Sequence, residues 1–160
     1  MPRLHFVKAA RKAIPGAGIE VGDSYYWWNV KWVSKTRPMP SQMVGSDFQR
    51  SVLEIQEAME AGSWESAIDL DVARDDWKQQ LEDLADEQDD KLQNMPDSLQ
   101  SSPTGELLQE RSEGLRDWAR GLDDIPIPDR EDFDEGDDGD QEYADGLLDA
   151  ANEMAGISPF

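Results

Sequence analysis

Apolar positions recur with helical period over most of the chain. Between Asp71 and Met95, Trp77, Leu81, Leu84, Leu92 and Met95 follow steps of four and three, with polar Gln88 filling the missing place. Asp71 stands where a helix N-cap belongs, and Asp75 and Asp76 lie near the positive end of the dipole. Pro96 disfavours helical backbone at Met95, so the pattern predicts a helix over 71–95. A second stripe, Leu107 or Leu108, Arg111, Leu115, Trp118 and Leu122, follows Ser102 as N-cap and Pro103 at the first helical position. Seven residues separate Met95 from Pro103, a connection that suits antiparallel neighbours. Gly105, Gly114 and Gly121 oppose the second helix. Burial of one Trp and several aliphatic side chains per arm, at about 1.5–3 kcal/mol each, outweighs them.

Nearer the N-terminus the period changes to two. Arg3 to Ala9 predicts a short strand, with Leu4 and Phe6 on one face and His5 and Val7 on the other. The run YYWWNVKWV, from Tyr25 to Val33, predicts a single strand from its aromatic and β-branched content. Its Tyr26, Trp28, Val30 and Trp32 form an apolar core face, and Tyr25, Trp27, Asn29, Lys31 and Val33 form the opposite face. Between these strands, residues 14–24 read as a loop, with Ile19 to Val21 pairing as a small strand.

Lys35 to Gly45 reads as a linker. Ser46 to Ala61 then predicts a helix, with a Ser46/Gln49 capping box, a stripe of Phe48, Val52, Ile55 and Met59, and Gly62 as a left-handed stop. Trp64, Ala67 and Ile68 make a short turn leading into the hairpin. Residues 123–145 hold 12 acidic side chains and one Arg among prolines and glycines, and such a segment cannot bury enough apolar surface to fold by itself. Tyr143, Leu147, Leu148, Ala151 and Met154 predict a short final helix that docks on the hairpin or on a partner.

The expected fold is therefore α+β and mostly helical. A small N-terminal antiparallel β-sheet with a covering helix (1–62) precedes an antiparallel helical hairpin (63–122) and an acidic flexible tail with a short terminal helix (123–160). The 160 residues are 38% hydrophobic and 32% charged, which leaves a thin core. Cysteine is absent, so disulfides and thiolate metal sites are excluded. No run is long enough to span a bilayer and no signal segment precedes the first strand, so a location in a host cytoplasm or a phage particle is expected.

The net charge of −21 is unevenly spread. Residues 1–45 carry seven basic and two acidic side chains, a net +5; residues 46–160 carry eight basic and 34 acidic ones, a net −26. Solubility or adaptation to salt accounts for acidity in its blandest form. The basic head offers a candidate nucleic-acid face in Tyr25, Trp27 and Lys31 with Lys8, Arg11 and Lys12, because aromatic rings beside cations are what single-strand binders use. Cover of Trp27 by the neighbouring helix is the plainer alternative. The acidic run offers a candidate partner-binding segment in Asp132, Asp134, Glu135, Asp137, Asp138 and Asp140.

Asp134, Asp138, Gly139, Asp140, Glu142 and Asp145 match a calcium loop only in part. Gly136 stands at its third position and Asp145 replaces the final Glu, so no metal is expected. His5 has no second histidine or cysteine to share a ligand set or activate a nucleophile. Carboxylates in a solvated run pick out no acid–base pair, so neither catalysis nor a cofactor is expected.

YYWW behind a Gly-Asp-Ser turn, the capped Ser-Asp-Phe helix, NMPDSLQ, and TGELLQERSEGLRDWA together resemble a family of uncharacterised bacteriophage proteins over about residues 5–122. The resemblance implies a phage origin and supplies no catalytic residue. On this reading the chain is a non-enzymatic acidic protein that binds a basic surface of a host or phage protein, by imitating nucleic acid. Nucleic acid is the less favoured partner, because +5 on the head must overcome −26 on the rest when phosphate contacts dominate affinity. The alternatives are a single-strand-binding β module inhibited by its own acidic tail, and a virion or assembly component. No membrane partner is expected.

Overall fold

The computed structural model describes residues 3–29 and 31–160, the Asp137 side chain excepted. The fold is α+β and mostly helical, a three-stranded antiparallel sheet followed by helices. It divides into two compact units, Met1–Leu53 and Glu54–Phe160, a single division where the sequence pattern predicts boundaries after 62 and 122.

In the first unit, β1 (His5–Val7), β2 (Tyr25–Trp28) and β3 (Trp32–Ser34) pair in that order. The aromatic run is thus a hairpin and not one strand. Asn29 takes a positive φ of 47°, and the Lys31 N–H donates to the Asn29 carbonyl at 2.7 Å. Asparagine tolerates the left-handed region that β-branched and aromatic residues avoid, so the chain reverses there. Reversal sets Trp28 opposite Trp32, Trp27 opposite Val33 and Tyr26 opposite Ser34, while His5 faces Trp27 and Val7 faces Tyr25 across the other pairing.

Phe6, Tyr26, Trp28, Trp32 and Ser34 consequently share one face, and His5, Val7, Tyr25, Trp27 and Val33 the other. Trp28 is buried as expected. Trp32, expected in the core, is 61% exposed because it lies on a three-residue edge strand with no neighbour beyond it. Val30, expected beside them, lies outside the described residues. Residues 19–21 form no strand: Ile14 and Ile19 make one bridge around a 3₁₀ turn, Pro15–Ala17, closed by Gly18 at φ 63°. Ile19 is buried and Val21 is exposed.

The stretch read as a linker contains a helical turn, α1 (Pro40–Met43), whose Gln42 side chain accepts from the Met39 N–H at 3.1 Å. Next comes α2 (Asp47–Ala61), with Ser46 Oγ accepting from the Gln49 N–H. Its stripe of Phe48, Val52, Ile55 and Met59 is buried as predicted. Gly62 does not adopt the left-handed stop. A Cβ there would lie 2.1 Å from the Trp64 ring, so close packing of the indole, and not a positive φ, requires glycine.

The second unit is built on α3 (Ala67–Gln93), α4 (Asp97–Gln100), α5 (Pro103–Gly121) and α6 (Asp137–Gly156). α3 starts four residues before Asp71. Ser66 Oγ accepts from the Asp69 N–H at 3.2 Å, and the Tyr143 hydroxyl accepts from the Ala67 N–H at 2.7 Å, so two otherwise unpaired first-turn donors are satisfied. The turn predicted at 64–68 is thereby partly absorbed into α3. Ion pairs from Lys78 to Asp123 and from Asp86 and Asp89 to Arg116 run in opposite chain directions, which makes α3 and α5 antiparallel.

Trp77, Leu81, Leu84, Leu115, Trp118 and Leu122 are all buried, and Leu108 rather than Leu107 joins them. Gln88, at the gap in the stripe, is fully buried, its Nε2 donating to the Leu84 carbonyl at 3.3 Å. At Gly105 a Cβ would stand 2.0 Å from the Gln100 carbonyl oxygen, so the approach of α4 to the start of α5 demands glycine. α6 is twenty residues long and begins inside the acidic run, longer than the short helix predicted there. Tyr143, Leu147, Ala151 and Met154 are buried, whereas Leu148 turns outward. The Trp118 Nε1–H donates to the Met154 carbonyl at 2.8 Å, tying α6 to the hairpin.

Candidate functional site

The residues proposed as a nucleic-acid face do not converge. Tyr25 and Trp27 share a sheet face, but Lys31 sits in the turn beyond Trp28, while Lys8, Arg11 and Lys12 follow β1 at the Tyr25 end. The length of β2, about 10 Å, separates the two sets. Trp27 is half-buried, and His5 is stacked on its ring at 4.1 Å and 9°. A base would have to displace that imidazole. Lys8, Arg11 and Lys12 are exposed on the loop after β1, which is anchored where Ala10 and residues 22–23 exchange backbone hydrogen bonds of 2.8 and 2.9 Å. Asp23 accepts from the Glu20 N–H and pairs with Lys35 at 2.8 Å; these hydrogen bonds, Lys35 first, hold its carboxyl below the usual range.

The exposed rings lie on the opposite face. Phe6, 58% exposed, leans on Tyr26 with centroids 5.0 Å apart, and Trp32 stands nearly free. Beside Trp28 and Trp32 opens a cleft of about 580 Å³, closed on its other side by Gln42, Met43 and Arg50. Among the described residues its lining contains no carboxylate. Sequence reasoning assigned Trp32 to the core and so missed this cleft. Asn29 within an aromatic run was the available signal, since it marks the reversal that carries Trp32 to an edge.

The acidic segment is organised by its single cation. Arg130 Nη1 donates to the carbonyls of Phe133 and Asp134 at 3.1 and 3.2 Å, and Nη2 pairs with the Asp140 carboxylate at 2.5 Å. The guanidinium also lies 5.9 Å from the centroid of the Tyr143 ring. Phe133 packs on Tyr143 with centroids 5.6 Å apart. A Cβ at Gly139 would come within 1.9 Å of the Asp134 carbonyl oxygen, so the chain folds tightly over the start of α6.

Residues 123–145, expected as a flexible tail, run through the 3₁₀ turns Leu122–Asp124 and Arg130–Asp132 into the first turns of α6. Asp132, Asp134, Glu135 and Asp138 remain exposed; Asp140 is exposed but paired, and the Asp137 side chain lies outside the described residues. Asp138, Gly139, Asp140, Glu142 and Asp145 fall in α6, where helical backbone cannot wrap a calcium ion as a loop does. Among the described residues no group of three His, Cys, Asp or Glu side chains could hold a metal ion.

Basic side chains in the helical unit pair with its own carboxylates, several of them at the surface. Arg74 pairs with Asp71 and Asp123, Lys78 with Asp123, Lys91 with Glu87, Arg116 with Asp86 and Asp89, Arg120 with Asp117, and Arg130 with Asp140. Asp89 is held below the usual carboxylate range by hydrogen bonds from Ser112 and then Arg116, and Arg116 is raised in turn by Asp89 and Asp86. Residues 54–160 carry seven basic and 33 acidic side chains, a net −26; residues 1–53 carry eight basic and three acidic ones, a net +5. Among the described residues no helix is long and apolar enough to cross a membrane. No protein-family model, curated protein or solved structure matches the chain.

Proposed function

We propose that the chain is a non-enzymatic acidic interaction protein whose helical unit engages a basic surface on a host or phage protein in the manner of a nucleic acid. One observation carries the reading. At least six of the seven basic side chains in that unit are committed to internal ion pairs, and its 33 carboxylates far outnumber the cations that could stand beside them on a packed helical scaffold. Fixed negative charge on a rigid body steers a basic partner and makes association fast and salt-sensitive. The ordered segment around Arg130 places Asp132, Asp134, Glu135 and Asp138 on the same scaffold, which supports their role in contact. A phage setting, in the host cytoplasm or in the particle, belongs to the same proposal.

Truncation after Leu122 would strip Tyr143, Leu147 and Met154 from the hairpin, so the test uses the full chain. Immobilised protein is exposed to host lysate at low salt. Each retained protein is purified, and its rebinding is titrated against salt and against duplex DNA. Retained proteins should rebind less tightly as salt rises, be released by DNA, and rebind weakly to a variant with Asp132, Asp134, Glu135 and Asp138 changed to their amides. Tight retention of single-stranded DNA by the chain itself at physiological salt that is lost in Trp27→Ala, or partner binding indifferent to salt, would overturn the proposal.

A further inference from the structure

In a chain with 36 acidic side chains, the cleft beside Trp28 and Trp32 has, among the described residues, none in its lining and one guanidinium, Arg50. Its volume, about 580 Å³, falls within the range of small-ligand sites. Trp28 is buried in its wall, whereas Trp32 leaves most of its ring open to solvent. A large apolar ring displayed beside a cavity is the feature that stacking ligands exploit. Arg50 Nη1 pairs with Asp47 at 3.0 Å, the Asp47 side chain 93% and the Arg50 side chain 44% exposed, and a pair with so exposed a carboxylate holds weakly enough for a ligand anion to replace it. Gln42, whose carbonyl oxygen accepts from the Met39 N–H, contributes a side-chain amide to the same lining. The unit's net +5, with Lys31 in the adjoining turn, adds a field of the same sign.

We propose that this cleft binds a planar aromatic anion of nucleotide size, its ring stacked on Trp32 and its phosphate held by Arg50. The site lies on the sheet face opposite Trp27 and stands independently of the acidic surface of the helical unit. Its chemistry is that of a base joined to a phosphate, whether free or at the end of a strand.

Isothermal titration of the full chain with adenosine monophosphate, adenosine, inorganic phosphate, thymidine monophosphate and a short oligothymidylate tests it. Adenosine monophosphate should bind at one site per chain and more tightly than adenosine or phosphate alone. Trp32→Ala should weaken it about tenfold or more, from the worth of one base stack. Trp32→Phe should restore part of the loss. Arg50→Gln should weaken the monophosphate while leaving adenosine unchanged, and Trp27→Ala should change neither. Oligothymidylate that binds through Trp32 and Arg50 more tightly than thymidine monophosphate identifies a strand end as the source, and equal affinity identifies the free nucleotide. Absence of saturable binding at millimolar monophosphate, phosphate binding as tight as the monophosphate, or a loss in Trp27→Ala equal to that in Trp32→Ala would each overturn the proposal.

Discussion

Trp118 in the helical unit and Trp32 in the sheet unit both sit on apolar stripes, yet the first is 1% exposed and the second 61%. The difference lies in what each stripe has to face. α5 meets α3 along one side, and α6 brings the Met154 carbonyl to the indole N–H, so Trp118 has apolar cover and a partner for its donor. Trp32 lies on a three-residue edge strand whose outward face borders an open cleft. The same contrast appears in the charges. Cations of the helical unit are spent on its own carboxylates, whereas Lys8, Arg11 and Lys12 of the sheet unit stand in solvent. A stripe specifies burial only where the topology supplies a second surface.

Trp118→Ala should cost about 3–5 kcal/mol in urea unfolding followed by circular dichroism, through lost burial and a lost hydrogen bond. Trp32→Ala should stay within about 0.5 kcal/mol of wild type. Equal costs would erase the contrast between the units.

Within α5 the glycines sharpen it further. Gly105→Ala drives a Cβ into the Gln100 backbone carbonyl and should destabilise by about 1–3 kcal/mol. Gly114→Ala meets only the outer edges of the Phe160 and Pro159 rings, at 3.0 and 3.3 Å. Phe160 is half-exposed and able to yield, so the gain in helix propensity, about 0.5–1 kcal/mol, should appear as added stability. The same unfolding curves decide both, and opposite signs are the expected outcome.

Arg130→Ala removes two carbonyl contacts and the Asp140 pair from a partly exposed side chain, and should cost about 1–2 kcal/mol. Hydrogen exchange should quicken across residues 131–142 while β1 to β3 remain protected as before. Exchange unchanged in that segment would show that Phe133 and Tyr143 suffice to order it.

Asp89 gives the smallest effect. Its folded pKa lies below the ordinary 3.8, so its contribution is complete above that value and disappears as pH falls through the folded pKa. Wild type should exceed Asp89→Asn by about 0.5–1 kcal/mol from neutrality down to about pH 4, and the two should converge in stronger acid. A gap that persists at pH 2 would mean that the pair with Arg116 is not its origin.

Periodicity by itself determined the two arms of the hairpin, the Ser102–Pro103 start of α5, the stripe of α2 and the segregation of charge. Each depends on residues a few positions apart and on backbone preferences that act locally. Even the gap at Gln88 was legible, since its place in the stripe marked it for the core despite its polarity. The start of α3 at Ala67 has a local signal in Ser66, which caps Asp69, and only the tertiary structure added the hydroxyl of residue 143 that satisfies the Ala67 N–H. The tertiary structure also brought Arg130 onto the Phe133 and Asp134 carbonyls and the Asp140 carboxylate, contacts that a count of acidic residues cannot show. The hairpin inside the aromatic run lay between these cases. Asn29 announced a reversal, but a period of two reads the same whether the chain runs on or turns back, and which tryptophan then met solvent depended on a neighbouring strand that is not there.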